Sequence, residues 1–273
     1  QLKDDGLYEN TIIMFWSDHG VGLPRAKRWL YNSGTHIPLV VRIPETFRAD
    51  GQGKPGTVTD ELISSIDFGP TVLRLAGVTI PDYVQGRPFL GTALPAPRKY
   101  VYGGRDRMDE RYDIIRMVRD KRFLYIRNYE PLKTFYQYMN TPEKGATMSE
   151  LRRLHQAGNL TPDAERYFAP TKPVEELYDY LADPHNVKNL AANPQHAQTL
   201  KRMRGAHLAW VQATKDVGLI PEPIIAERVK QLGSEYAILR QDNSAEYNAR
   251  LGAIAAAASD GIAALPKLIE ATN

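Results

Sequence analysis

The chain has 273 residues, of which 42% are hydrophobic and 25% are charged, and its net charge is +3 at pH 7. This length is enough for one large domain or two small domains with a hydrophobic core. Such a small net charge gives no indication of nucleic acid as a partner, and no stretch approaches the roughly 18 apolar residues of a membrane span. Cysteine is absent, which excludes disulfides, thiolate metal sites and a cysteine nucleophile within these residues.

The first third of the chain predicts two strands and a helix. Residues 10–16 and 37–43 are continuous apolar runs rich in β-branched and aromatic residues. Such runs are typical of strands that are covered on both faces, as in a parallel sheet. Residues 60–66 predict a short strand or an extended segment, and residues 67–76 predict a helix between a capping Asp and a terminating Gly.

Beyond a Pro-rich connector at residues 91–97, the pattern changes. The sequence there predicts strands over 100–103, 114–118, 123–126 and 176–179, and helices over 149–157 and around Leu200, Met203, Leu208 and Val211. The strands 114–118 and 123–126 are predicted to form an antiparallel hairpin. Ala-rich stretches over 245–258 and 261–271 predict a helical hairpin near the end of the chain.

Asp18 and His19 are candidate metal ligands, because they place a carboxylate and an imidazole side by side where the first predicted strand ends. Adjacent residues on an extended strand point to opposite faces, so the two side chains converge on one ion only where the chain turns. Gly20 permits such a turn. The alternative is an Asp that caps the strand beside a surface His.

Three basic residues are candidates for contact with an anionic substrate. Lys27, downstream of the predicted metal pair, offers a point charge on a flexible stem; the alternative is a solvated surface lysine. Arg105 and Arg107 lie in a charged loop after a predicted strand, and Arg suits bidentate contact with sulfate or carboxylate groups. The alternative for this loop is a set of surface salt bridges.

The order of these residues resembles the type I sulfatases of the alkaline phosphatase superfamily. The resemblance begins with Ser17-Asp18-His19-Gly20, Lys27, Tyr31, Gly34 and Pro38-Leu39-Val40-Val41. It continues in Asp67-Phe68-Gly69-Pro70-Thr71, Gly86-Arg87-Pro88-Phe89, the hairpin of residues 115–125, Glu176-Leu177-Tyr178-Asp179, Asp183-Pro184 and Asn189-Leu190-Ala191. These matches follow the family's order and cover about residues 8 to 215. The stretch around Lys27 is most similar to the heparan N-sulfatase branch.

The resemblance implies an α/β fold in three parts. Residues 1–95 would be the C-terminal part of an alkaline-phosphatase-like mixed-sheet domain, and residues 96–217 a small antiparallel-sheet subdomain of α+β type. Residues 218–273 would be a helical extension, or the start of a helical repeat. The implied activity is hydrolysis of sulfate groups on a sulfated carbohydrate. Members of the family are usually exported, so the implied location is the periplasm or the cell exterior.

By the same resemblance, Asp18 and His19 would bind a divalent ion, usually calcium, and Lys27 would contact sulfate oxygens. Calcium prefers oxygen ligands, so the imidazole leaves the identity of the metal open. The family nucleophile is a formylglycine made from Cys, or from Ser, in a motif that this chain lacks. We therefore expect that the nucleophile lies upstream and that the chain is inactive alone.

Two alternatives remain open at this point. One is a phosphohydrolase of the same superfamily, in which a strand-end Asp-His pair binds zinc. The other, from a different class, is a helical-repeat interaction module that begins in residues 224–273. The segment that contains Lys27 and the closing motif at Glu176 favour the sulfatase interpretation.

Overall fold

The computed structural model describes residues 1–49 and 52–241, together with the single residues 246, 247, 250, 253 and 266. The strands are β1 (Ile13–Trp16), β2 (Leu39–Arg42), β3 (Val101–Arg105), β4 (Ile115–Arg119), β5 (Phe123–Asn128) and β6 (Glu175–Asp179). The α-helices are α1 (Asn32–Thr35), α2 (Phe68–Leu75), α3 (Asn140–Glu143), α4 (Ala146–Gln156), α5 (Pro162–Glu165), α6 (Ala197–Thr214), α7 (Glu222–Leu232) and α8 (Glu235–Leu239). Short 3-10 turns lie at Tyr8–Asn10, Glu45–Phe47, Ser65–Asp67, Arg166–Phe168, Pro194–His196 and Val217–Leu219.

Strands β1 and β2 form a two-stranded antiparallel sheet in which Ile13 lies opposite Arg42. The prediction of parallel strands covered on both faces is therefore wrong for the part of the chain that the structure describes. Phe15 is 65% exposed and Val40 61% exposed. Apolar content shows that a strand is suited to burial, but the direction of its partner depends on the path of the intervening chain. Here that chain folds back, so β2 runs against β1.

Helix α2 confirms the helix predicted over residues 67–76, and Gly77 follows it with a positive φ of 71°. The Asp67 carboxylate is buried, accepts hydrogen bonds from the backbone N–H groups of Ser64 and Arg87, and pairs with Arg98. Residues 60–64 form no strand; they are irregular and lead into this capped helix start.

The second sheet is antiparallel in the order β3-β4-β5-β6, and it confirms the predicted hairpin of β4 and β5. Val118, Leu124 and Leu177 on these strands are completely buried. This sheet and the helices beside it confirm the antiparallel α+β architecture expected for the middle of the chain.

Helix α6 covers the sheet through a face that differs from the predicted one. Met203, His207 and Val211 are buried, whereas Leu208 is partly exposed. Residues four apart on a helix share one face, while consecutive residues are rotated by about 100°. The buried face therefore runs 203, 207, 211 and includes a histidine, and Leu208 lies to one side of it.

Helices α7 and α8 continue the chain beyond the second sheet. The helical hairpin predicted over 245–258 and 261–271 lies outside the described residues, except for single positions. The division into parts at residues 95 and 217 stays a prediction. Among the described residues, no helix combines the length and the apolar character that crossing a membrane requires.

Candidate active site

Asp18 and His19 lie in the turn that follows β1. This turn packs against Ser33 and Gly34, farther along the chain. The Gly20 N–H donates to the carbonyl oxygen of Gly34 at 3.0 Å. A Cβ atom on Gly20 would lie 1.8 Å from the carbonyl oxygen of Ser33. Only glycine permits this approach, so the close packing of two backbone segments holds the predicted metal pair in place.

The two side chains offer their donor atoms to one point. Asp18 Oδ2 lies 3.4 Å from His19 Nε2, and the two side chains are 83% and 35% exposed. His19 Nδ1 lies 2.6 Å from the carbonyl oxygen of Gly20. A carbonyl only accepts, so Nδ1 donates this hydrogen bond and Nε2 is the ring nitrogen on the side of Asp18.

This arrangement fits part of a metal site. Ligands of one divalent ion, each about 2.0–2.4 Å from it, lie roughly 3–3.5 Å apart, as Asp18 Oδ2 and His19 Nε2 do. Among residues 1–49, 52–241 and the later single positions, no group of three or more His, Asp or Glu side chains is placed to hold a metal. As metal ligands, Asp18 and His19 would supply two positions of a larger coordination shell, and an oxygen-plus-nitrogen donor set does not select calcium.

Lys27 lies in the same loop, between buried neighbours. Its backbone N–H donates to the carbonyl oxygen of Val21 at 3.0 Å, which returns the chain to the turn that follows His19. Ala26 on one side and Trp29 on the other are buried. Among the described residues, the Lys27 ammonium has neither a hydrogen-bond acceptor nor a carboxylate partner. A fixed backbone thus presents a cation whose charge is available to an anion.

The closing motif of the resemblance anchors this loop. Arg25 donates to the carbonyl oxygens of His185 and Asn186, and the Tyr31 hydroxyl donates to Glu176 Oε2 at 2.9 Å. Burial, and then the charge of Glu176, raise the pKa of Tyr31 well above its ordinary value. The phenol therefore remains a donor, and the Lys27 loop is joined to the edge of the second sheet at β6.

The structure places Arg105 and Arg107 in different surroundings. Arg105 is 2% exposed, its guanidinium lies 4.2 Å from the centre of the Trp29 ring, and it donates to Gln137 Oε1 at 3.1 Å. Burial lowers the pKa of Arg105, while the carboxylate of Asp113 opposes this change. Arg107 is half-exposed, and its Nε donates to Glu222 Oε1 at 2.8 Å.

The two loops nevertheless meet. Arg28 Nε donates to Asp109 Oδ2 at 2.6 Å, and Arg105 lies over Trp29. Arg107 fits the alternative interpretation of a salt-bridged loop. Arg105 Nε and Nη1 have no hydrogen-bond partner among the described residues. The role of Arg105 and Arg107 in substrate binding stays a prediction.

Sequence reasoning missed two residues that shape this site, Arg25 and Trp29. Arg25 has a positive φ of 59° and reaches residues about 160 positions away. Trp29 joins the Lys27 loop to Arg105. The only local indication of this role was that an aromatic residue lies two positions after Lys27. No neighbouring residue indicated that Arg105 would be its partner.

Several known proteins are similar to this chain in sequence or fold. Residues 1–78 match the Sulfatase family profile. The chain is 43% identical over 222 residues to an ulvan-active sulfatase of Formosa agariphila, covering 81% of this chain and 36% of that protein. It is 28% identical over 248 residues to human N-sulphoglucosamine sulphohydrolase, covering 84% of this chain and 47% of that protein.

A solved structure of a 2-O GAG sulfatase superimposes with a TM-score of 0.51 at 24% identity, covering 77% of this chain and 38% of that one. This likeness shows the fold alone. The chain spans less than half the length of each of these proteins. The family profile and the 43% identical relative lead to one conclusion: the chain belongs to the type I sulfatase family.

Proposed function

We propose that the chain forms part of an enzyme that hydrolyses sulfate groups on a sulfated carbohydrate. Asp18 and His19 are assigned as metal ligands, and Lys27 as the residue that binds the sulfate oxygens. One observation carries the proposal: the loop after β1 holds the Asp18–His19 pair, whose carboxylate is exposed, together with Lys27, whose ammonium has no partner among the described residues. Ala26 and Trp29 beside Lys27 are buried.

The chemistry suits a sulfate ester. The substrate carries negative charge on its non-bridging oxygens, and the leaving oxygen gains more charge in the transition state. Lys27, held by its loop, faces that charge without reorganisation, which is how fixed cations accelerate such reactions. A divalent ion bound by Asp18 and His19 would supply charge stabilisation at the same oxygens. The nucleophile is not among the residues assigned here.

The carbohydrate substrate is supported by the relatives. One is named for activity on ulvan and another for hydrolysis of N-sulphoglucosamine, a sulfated amino sugar. We extend to this chain the class of substrate and not the particular sugar. The proposed substrate carries its sulfate group on oxygen or on nitrogen, and the proposed metal is calcium or another divalent ion.

The test uses the complete enzyme. Lys27→Ala should lower turnover of a sulfated substrate by about 10²-fold or more, because it removes one charged contact to transition-state oxygens. The thermal midpoint should hold, since Lys27 has no partner to lose among the described residues. Lys99→Ala removes an exposed lysine outside this loop and should change neither quantity. A fall in the thermal midpoint with unchanged turnover of the folded enzyme would make Lys27 structural.

A second arm tests the metal ligands. Asp18→Asn should reduce the amount of bound divalent metal together with the turnover, and both are measured on one preparation. An unchanged metal content with full activity would refute the assignment. Assaying an aryl phosphate beside an aryl sulfate separates the reaction classes: a preference for phosphate would favour the phosphohydrolase alternative.

A further inference from the structure

Lys27 lies in a tight turn of four residues that begins at Ala26 and ends at Trp29. The Trp29 N–H donates to the carbonyl oxygen of Ala26 at 2.9 Å, so Lys27 and Arg28 are the two central residues of this turn. Arg28 has a positive φ of 76°. Turns with a positive φ at the third position usually have Gly or Asn there, because most side chains crowd the backbone in this region. The direction of Lys27 therefore depends on a backbone conformation that needs support from outside the turn.

Asp109 supplies one such support. Arg28 Nε donates to Asp109 Oδ2 at 2.6 Å, and the Arg28 side chain is only 12% exposed. Asp109 itself has a positive φ of 50°, in a region that Asp enters more readily than most residues. The ion pair thus joins two backbone positions of uncommon conformation. Such conformations persist where the surrounding contacts fix them, and they are concentrated at functional sites.

Arg105 supports the end of the same turn. Its guanidinium lies 4.2 Å from the centre of the Trp29 ring, and both residues are buried. A cation over an aromatic face is attracted more strongly where water is excluded. The carboxylate of Asp113 lies 3.9 Å from Arg105 Nη1 and accepts a hydrogen bond of 2.6 Å from Lys172. Two buried cations therefore share this carboxylate, and the face of the Trp29 ring offsets part of the charge of Arg105.

Both supports come from one short segment, because Arg105 ends β3 and Asp109 lies four residues later. They contact Arg28 and Trp29, the two residues that follow Lys27. We propose that Arg105 and Asp109 are positioning residues, which hold this turn and thereby fix where the Lys27 ammonium lies. They act through Arg28 and Trp29 and need no contact with the substrate. This inference rests on the proposed function, in which Lys27 binds the sulfate oxygens.

The experiment is a double-mutant cycle on the complete enzyme. Asp109→Asn removes the charge and keeps a residue that tolerates the positive φ. It should lower kcat/KM for a sulfated substrate by about tenfold, because a misplaced catalytic group loses much of its effect. Arg105→Met should act in the same direction. It removes the cation beneath Trp29 and leaves the buried pair of Asp113 with Lys172 in place.

Asp163→Asn is the matched control, because it makes the same chemical change in an exposed ion pair with Arg166 outside this turn. Its kcat/KM and thermal midpoint should equal those of the wild type. The Asp109 side chain is 37% exposed, so Asp109→Asn should also melt as the wild type does. Where Arg105→Met melts at a lower temperature, Asp109→Asn decides the test.

The second side of the cycle separates positioning from the other possible roles. Each substitution is repeated in the Lys27→Ala background, in which a residue that acts only through Lys27 has nothing left to position. There Asp109→Asn and Arg105→Met should each change kcat/KM by less than about twofold, which is the usual limit of additivity. A loss that is as large in this background as in the wild type would overturn the inference, since direct substrate contact or support of the whole fold gives that result.

Amide hydrogen exchange reads the turn independently of turnover. In the complete enzyme, a peptide that covers residues 21–31 is followed by mass spectrometry. Its slowest amides should exchange about tenfold faster in Asp109→Asn and Arg105→Met, because the Trp29 N–H loses protection when the turn opens. Lys27→Ala and Asp163→Asn should exchange at the rate of the wild type.

The two measurements distinguish failure of this inference from failure of the proposed function. If Lys27→Ala lowers turnover while Asp109→Asn and Arg105→Met change neither exchange nor kcat/KM, the inference is overturned and the proposed function stands. If both variants exchange faster while Lys27→Ala leaves turnover unchanged, the support of the turn stands and the assignment of Lys27 fails.

Discussion

His207 makes the stability of this chain dependent on pH. His207 lies on the buried face of α6 and is 1% exposed, and its Nε2 lies 2.8 Å from the Tyr129 hydroxyl oxygen. The pKa of His207 is lowered from 6.5 to about 4, first by burial and then by the guanidinium groups of Arg127 and Arg116, against the opposing charges of Asp216 and Glu175. The folded chain therefore keeps this ring neutral over most of the physiological range.

The direction and size of the effect follow from this shift. Between pH 6.5 and about 4 the unfolded chain binds a proton at His207 that the folded chain does not, so the free energy of unfolding decreases as the pH is lowered. Each pH unit of that window costs about 1.4 kcal/mol. From pH 6.5 to about 4, the folded state should thus lose about 3 kcal/mol through this residue.

Urea unfolding from pH 7.5 to 4.5 measures the effect as a difference between variants. His207→Phe removes the titrating group and leaves the Tyr129 hydroxyl without its partner, so it should cost about 1–3 kcal/mol at pH 7.5. Other groups titrate in both proteins and cancel in the difference. The cost should therefore shrink steadily toward acid, by more than about 2 kcal/mol at pH 4.5. His185→Phe, at an exposed histidine, should leave the pH dependence unchanged. A constant difference between wild type and His207→Phe would refute the reasoning.

Two further predictions concern the ion pairs of the second sheet and the activity of the chain. Arg116 is buried and pairs with Asp106 at 2.7 Å and Asp216 at 2.6 Å; Arg116→Met should lower the free energy of unfolding by about 3–5 kcal/mol. The exposed pair of Arg153 with Glu150 is the control, and Arg153→Met should leave the free energy of unfolding close to that of the wild type; equal losses would contradict the distinction. The 273-residue chain alone, given calcium, should not turn over an aryl sulfate, because it has no cysteine and no serine in the modification motif; sustained turnover would require a different nucleophile.

Local features of the sequence predicted the elements that surround the site. Helix α2 lies between the Asp and Gly expected to bound it, and β4 and β5 form the hairpin expected from two neighbouring strand-like runs. The pair Asp18 and His19 was found because a strand end followed by Gly allows adjacent side chains to converge. In each case the determining interactions lie within a few residues of one another, so the pattern of residue types is enough to reveal them.

Long-range packing decided what the pattern left open. The sequence placed Arg105 in a charged loop, but the structure buries it on Trp29, because the strand that carries it lies beneath the Lys27 loop. The spacing around α6 favoured Leu208, although His207 occupies the buried position. The buried histidine lies beside the hydroxyl of Tyr129, which follows β5, and a helical period does not disclose such a partner.

By itself the sequence determined the order of the elements, the strand-end Asp18–His19 pair, Lys27 and the family to which they point. The tertiary structure alone decided that β1 and β2 run antiparallel and that the turn at Asn186 anchors the Lys27 loop. It also assembled a cavity lined by Tyr136, Arg152 and Phe168 from three separate stretches. The physical reason is range: capping, turns and strand alternation depend on neighbours in the chain, whereas direction, burial and cavities depend on contacts between residues far apart in it.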